Sequence, residues 1–123
     1  MSKVERFEDL KCWQSARELV RLVFLASEQG KLSKDFDTRS QIKRAALGAM
    51  NNIAEGFGRK SNKEFIRFLD ISQSSSMEVK SITYALEDMD YLSIDLILEI
   101  RLKSEETKSI TLGLIRYLSN KDN

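Results

Sequence analysis

Not one of the 123 residues is proline, and only 5 are glycine. Sandwiches and barrels need turn-forming residues every 8 to 12 positions or so, and this chain cannot supply them. Long uninterrupted helices are what remains. Hydrophobic residues make up 41% and charged residues 32%, enough apolar material to bury a core and too much for a disordered chain. At this length the chain forms one domain over residues 1–123, since two cores of ordinary size would not fit.

What is missing narrows the chemistry. There is no histidine, and Cys12 is the single cysteine, which excludes His or Cys zinc sites, Ser-His-Asp triads and disulfide frameworks. The reading is therefore a protein that is not an enzyme and carries no cofactor. The longest apolar stretches, such as Leu96-Ile97-Leu98, fall far short of the roughly 20 residues needed to span a bilayer. Residues 1–6 lack the apolar segment of a signal peptide, so the expected location is a reducing cytoplasm, with Cys12 a free thiol and no membrane partner.

Apolar periodicity predicts four helices. The first runs from near Asp9 to about Glu28, with Trp13, Ala16, Val20 and Val23 repeating at helical spacing and Gly30 ending it. The second is capped by Asp37 or Thr38, carries Ile42, Ala46, Ala49 and Ile53 inward, and stops at Gly56 and Gly58. Ser61 followed by Glu64 has the form of a capping box and opens the third. Its seam, Phe65, Phe68, Ser72, Ser75, Val79, Ile82, Leu86 and Met89, alternates steps of 3 and 4 residues. The fourth runs from about Ser93 to Leu118, and its polar stretch over residues 103–109 is expected to bend or stay exposed. Short connections between such helices leave an all-α, antiparallel up-down-up-down four-helix bundle.

Charge is arranged in blocks. Residues 39–67 carry 7 basic side chains against Glu55 and Glu64, whereas residues 68–100 carry 7 acidic side chains against Lys80 alone. In an up-down-up-down bundle the chain start, the turn between helices two and three and the chain end share one pole. That pole gathers Lys3, Arg6, Lys11, Arg59, Lys60, Lys63, Arg67, Arg116 and Lys121, while Glu87, Asp88, Asp90 and Asp95 gather at the other.

The segment Asn52-Ile53-Ala54-Glu55-Gly56-Phe57-Gly58-Arg59, closing the second helix of a short four-helix chain, resembles the 23S rRNA intervening-sequence protein family. The resemblance extends to residues 7–10 with Trp13 and Gln14, to residues 41–46, and to Glu64, Phe65, Phe68, Leu69 and Glu78. Where the family reads A-x-G-S-L-x-E, this chain has Ser72-Gln73-Ser74-Ser75-Ser76-Met77-Glu78, so the serine and glutamate are kept and the small and large apolar positions have become serine. The resemblance implies a homo-oligomeric ring, a pentamer, with no known enzymatic activity. Similar proteins are accessory factors of diversity-generating retroelements, which implies a reverse transcriptase or other protein, and RNA or DNA, as partners.

Read residue by residue, Arg59, Lys60, Lys63 and Arg67 are the candidate nucleic-acid contacts. Lys63 and Arg67 lie one turn apart at a helix N-terminus, where backbone N–H groups and the helix dipole also favour phosphate. The alternative is a solvated basic face, partly neutralised by Glu5, Glu8, Glu64 and Asp122, on a protein-interaction scaffold that binds no nucleic acid. Glu55, Glu64 and Glu78 do not read as metal ligands, because carboxylate-bridged sites in bundles pair glutamate with histidine. Gly56 and Gly58 follow a helix and not a strand, so they read as a cap and not a phosphate loop.

Gln41, Arg44, Asn52, Glu55, Ser75 and Glu78 are expected to form a buried polar layer between helices two and three, with Glu78 bonded by Arg44, Gln41 or both. Ala45, Gly48 and Ala49 are expected to mark the closest helix contact, with Gly48 opposite Ser72. Leu22, Leu25, Leu98, Leu102 and Leu112 lie off the main seams, so helices one and four are expected to contact other copies.

Overall fold

The computed structural model describes residues 4–121. Four helices, α1 (Lys11–Ala26), α2 (Phe36–Phe57), α3 (Asn62–Asp88) and α4 (Ile94–Lys121), are accompanied by 3-10 turns at Phe7–Asp9 and Lys31–Lys34. Contacts between α1 and α2, α2 and α3, α3 and α4, and α4 and α1 close a four-sided bundle in chain order. Gln41 meets Glu78 and Ala49 meets Ser72, so α2 and α3 run antiparallel; Lys80 with Glu105 and Thr83 with Arg101 show the same for α3 and α4.

Local chemistry sets the helix ends. Ser61 accepts a hydrogen bond from the Glu64 N–H at 3.1 Å, as the capping box predicts. Helix α2 begins earlier than expected, capped by Asp35 instead of Asp37 or Thr38. The Asp35 carboxylate accepts from the Thr38 N–H at 3.1 Å, the Thr38 hydroxyl at 2.9 Å and the Tyr91 hydroxyl at 2.9 Å. These bonds hold it well below the usual carboxylate pKa, the Thr38 N–H contributing most. Gly30 has φ +55°, and a Cβ there would lie 2.2 Å from the Tyr91 carbonyl oxygen, so the turn after α1 admits only glycine.

Gly56 plays a different part from the one expected. It lies inside α2, and Gly58 after it keeps right-handed backbone with φ −75°. A Cβ on Gly56 would lie 2.6 Å from Phe68 Cβ and 3.0 Å from the Phe65 ring, whereas one on Gly48 would lie 3.1 Å from Ser75 Oγ. Of these two glycines Gly56, at one end of the bundle, leaves the less room for a side chain, and Gly48 faces Ser75 instead of Ser72.

Two apolar clusters make the core. One joins Leu19, Val23, Ile42, Val79, Leu86, Ile97 and Ile100; the other joins Cys12, Ala16, Ala49, Ile53, Leu69 and Leu118. Between them lies a layer of buried hydroxyls: Ser15, Ser72, Ser76, Ser104, Thr107 and Thr111. The polar stretch of α4 stays helical and turns Ser104 and Thr107 into the interior, while Glu106 and Ser109 remain exposed. Ser104 donates to the Ile100 carbonyl, Thr107 to the Lys103 carbonyl and Thr111 to the Thr107 carbonyl, each at 2.8 Å, and Ser15 and Thr107 share a bond of 2.7 Å. A hydroxyl bonded to its own helix carbonyl presents little unmet polarity, which lets these positions pack like small apolar ones. Ser72 donates across to the Ala49 carbonyl at 2.6 Å, while Ser76 Oγ is buried without a partner.

Candidate nucleic-acid interface

Antiparallel packing brings the first residues of α1, the end of α2, the start of α3 and the end of α4 to one pole, as the second apolar cluster records. Lys3 and Asp122 lie outside the described residues. Arg59, Lys60, Lys63 and Arg67 all sit there, exposed, where α2 turns into α3. They are not equivalent. Arg59 pairs with Glu55 at 3.2 Å and Arg67 with Glu64 at 3.2 Å, and both guanidinium groups lie over the Phe68 ring, at 4.9 and 4.6 Å. The hydrogen bond from Arg67 is the main reason the Glu64 carboxyl stays below its ordinary pKa, with Arg67, Arg59 and Lys63 adding favourable charge. Lys60 and Lys63 form no ion pair among the described residues.

These two lysines flank the N-terminus of α3, where the first-turn N–H groups point outward and the dipole is positive. Beside them, a shallow groove of about 410 Å³ between α3 and α4 is lined by Lys63, Glu64, Ile66, Arg67, Asp70, Leu112 and Ile115, so two carboxylates share it with the two cations. Phe68 is buried, and Phe65 stacks edge-on against Phe57 at 5.9 Å. Phe57, Phe65 and Phe68 are thus engaged within the bundle, whereas Tyr117 near the end of α4 is 42% exposed.

The polar residues of α2 and α3 do not form a buried layer. Gln41 donates to Glu78, and Arg44 donates to Gln41 at 3.1 Å, but Gln41, Arg44 and Glu78 are all exposed. Asn52 turns back onto the Gly48 carbonyl at 2.8 Å, Glu55 serves Arg59, and Ser75 lies against Gly48. With few large side chains between them, α2 and α3 come close enough that long polar chains at their seam reach water. The buried polar layer is the hydroxyl one, supplied by α1, α3 and α4, with α2 contributing the Ala49 carbonyl.

The opposite pole holds Glu87, Asp88, Asp90 and Asp95, with Glu87 bonded to Arg101. It is less purely acidic than the charge blocks imply. The Lys31 N–H donates to the Tyr91 carbonyl at 3.1 Å, and this contact folds the α1–α2 connection, with Lys31 and Lys34, onto the same end. Among the described residues no three His, Cys, Asp or Glu side chains converge on a metal position, and no helix is long and apolar enough to cross a membrane.

Fold and charge together define a four-helix bundle with one basic end. Residues 8–113 match the 23S rRNA-intervening sequence protein family, and the chain belongs to that family. It is similar in fold to the crystal structure of a protein of unknown function from the S23 ribosomal protein family of Bacteroides thetaiotaomicron. That likeness has a TM-score of 0.77 and 24% identity, covering 85% of this chain and 95% of that one. No curated protein matches the chain.

Proposed function

We propose that this protein is a non-enzymatic, self-associating accessory factor that binds the phosphate backbone of RNA or DNA through its basic end. One observation carries the reading: Lys60 and Lys63 stand exposed, and without ion pairs among the described residues, at the N-terminus of α3, where helix dipole and backbone donors add to their charge. Arg59 and Arg67 are already paired, so they would support the surface more than supply its free charge. The family's association with an rRNA intervening sequence agrees with a nucleic-acid partner. A ring, a pentamer in the family resemblance, would set several such ends side by side and raise affinity through multivalency. A ribonucleoprotein setting, with a reverse transcriptase or another protein as partner in the cytoplasm, fits the same surface.

The second reading is an interaction scaffold that touches no nucleic acid. It is favoured by the exposed apolar side chains of α4, where Leu102 is 71% and Leu98 51% exposed. Fluorescence anisotropy with single-stranded and duplex RNA and DNA separates the two. Binding at low salt that is lost in a Lys60→Gln, Lys63→Gln, Arg67→Gln variant supports the first reading; no binding by the wild type supports the second.

A further inference from the structure

We propose that the outer face of α3 and α4, at the end where one turns into the other, is a docking surface for a different protein, and that the segment it takes is a cationic amphipathic helix. The proposal rests on the scaffold reading above, names the chemistry of its partner, and leaves Lys60 and Lys63 at the other end free for phosphate.

Ile94, Leu98 and Leu102 recur every fourth residue along α4 and are 50%, 51% and 71% exposed, while Ile97, Ile100 and Ser104 fill the core from the other side of the same turns. Tyr84 of α3, 50% exposed, adds a ring beside them. The Arg101 guanidinium lies over that ring at 3.7 Å and is itself fixed, donating to the Thr83 hydroxyl at 2.9 Å and to Glu87. Arg101 is one turn from Leu98 and next to Leu102, so ring and stripe make one patch across two helices. The core uses none of these four side chains, and a contiguous apolar patch of this kind marks an interaction site.

Charge decides what can cover it. The cations of this face are already engaged: Lys80 with Glu105 at 2.7 Å, Arg101 with Glu87, and Lys103 with Glu106 at 3.2 Å, while Lys108 adds its charge beside Glu105. Asp88, Asp90, Asp95 and Glu99 are exposed and form no ion pair among the described residues. Lys31 and Lys34 reach this end from the α1–α2 connection, on the opposite side of the four-sided bundle.

Free carboxylates repel nucleic acid and anionic lipid alike. A second copy is also a poor match, because the exposed Phe24 and Phe36 lie beside Glu28, Asp35 and Asp37 as well as Lys34 and Lys43, and offer no net positive charge. The complement is a helix laid along α4, with apolar anchors at spacings of 3 and 4 residues or so and Lys or Arg on both flanks. The stripe spans about 12 Å, so three or so turns of such a helix cover it.

The probe is a labelled synthetic peptide of about 18 residues, with leucine at helical spacing and lysine elsewhere, titrated with the full chain at physiological ionic strength and read by fluorescence anisotropy. Its comparisons are the same helix with glutamate for lysine, and a scrambled peptide of the same leucine and lysine content. The expected result is one lysine helix bound per chain and much weaker binding of both comparisons. Leu98→Gln with Leu102→Gln should weaken binding roughly tenfold or more with helicity unchanged. Asp95→Lys with Glu99→Lys should reverse the preference, so that the glutamate helix binds better than the lysine one. A wild type that binds no peptide, or all three alike, overturns the proposal, as does a leucine variant with wild-type affinity or a charge variant with wild-type preference. Light scattering that shows wild-type oligomers falling to monomers in the leucine variant, with no peptide bound by the wild type, assigns the stripe to a second copy and also overturns it. RNA and DNA affinity should be the same in the leucine variant as in the wild type, and a fall there counts against a separate docking surface; loss of nucleic-acid binding in the wild type, with the peptide results intact, overturns only the phosphate reading.

Discussion

Replacing Gly56 with alanine tests the close packing of α2 on α3. The added Cβ would lie 2.6 Å from Phe68 Cβ, against the 3.4 to 4 Å of ordinary van der Waals contact. Phe68 Cβ is fixed to the α3 backbone and cannot rotate away, so one helix must move. Overpacking of this kind costs about 1 to 3 kcal/mol. The gain in helix propensity from glycine to alanine, about 0.5 to 1 kcal/mol, offsets part of it. The expected net loss is about 1 to 2 kcal/mol. Gly48→Ala is the internal control, because its Cβ would meet Ser75 Oγ at 3.1 Å and a hydroxyl can turn aside. There the propensity gain wins, and stability should be unchanged or rise by up to about 1 kcal/mol. Urea unfolding followed by circular dichroism, at one fixed chain concentration, reads both. A Gly56→Ala protein as stable as the wild type, or a Gly48→Ala protein that loses more than Gly56→Ala, would refute the reasoning.

Within the hydroxyl layer, Ser72→Ala should cost about 0.5 to 1.5 kcal/mol by removing the bond to the Ala49 carbonyl, while Ser76→Ala should be neutral or stabilising because its hydroxyl has no partner; the same unfolding curves distinguish them. Burial pushes the Cys12 thiol up to about 11, against hydrogen bonds that include one with Thr111. The unfolded chain gives up this proton more readily, so stability should be intact below about pH 9 and fall by roughly 2 to 3 kcal/mol as pH approaches 11. A Cys12→Ala protein should lack that part of the slope, and thiol reagents should label wild-type Cys12 only as the chain unfolds. Asp35 is shifted the other way, so its contribution is present at neutral pH and is lost as pH falls through its depressed folded value; Asp35→Asn should flatten the acid limb of stability against pH.

The four helices, their antiparallel order and the two poles were legible because apolar spacing and the scarcity of turn residues allow few other arrangements. The capping box at Ser61 was equally plain, being local chemistry. The cap of α2 was not, because Asp35, Asp37 and Thr38 offer similar local chemistry; Asp35 takes the Thr38 N–H and hydroxyl, and the Tyr91 hydroxyl from 56 residues away adds a bond that spacing does not show. Residues 103–109 misled for a different reason. Polarity read from side-chain type marks Ser104 and Thr107 as surface, and only the bonds to Ile100 and Lys103 carbonyls make them suitable for the core. In the candidate site, position was readable and pairing was not. Spacing places Arg59, Lys60, Lys63 and Arg67 together, but which of them keep free charge depends on the reach of Glu55 and Glu64. The exposure of Glu78 likewise follows from how near α2 approaches α3, a property of the assembled pair.

The most direct test of the account is the salt dependence of nucleic-acid affinity in wild type and in a Lys60→Gln, Lys63→Gln variant. Each released phosphate contact lowers the slope of log affinity against log salt by roughly 0.7 to 0.9, so the pair should lower it by about 1.4 to 1.8 per subunit engaged. Arg67→Gln should lower it less, since Glu64 already occupies that guanidinium, and Glu64→Gln should strengthen binding. A wild-type protein whose affinity is undetectable at low salt, or a double variant with the wild-type slope, would contradict the assignment of the basic end to phosphate binding.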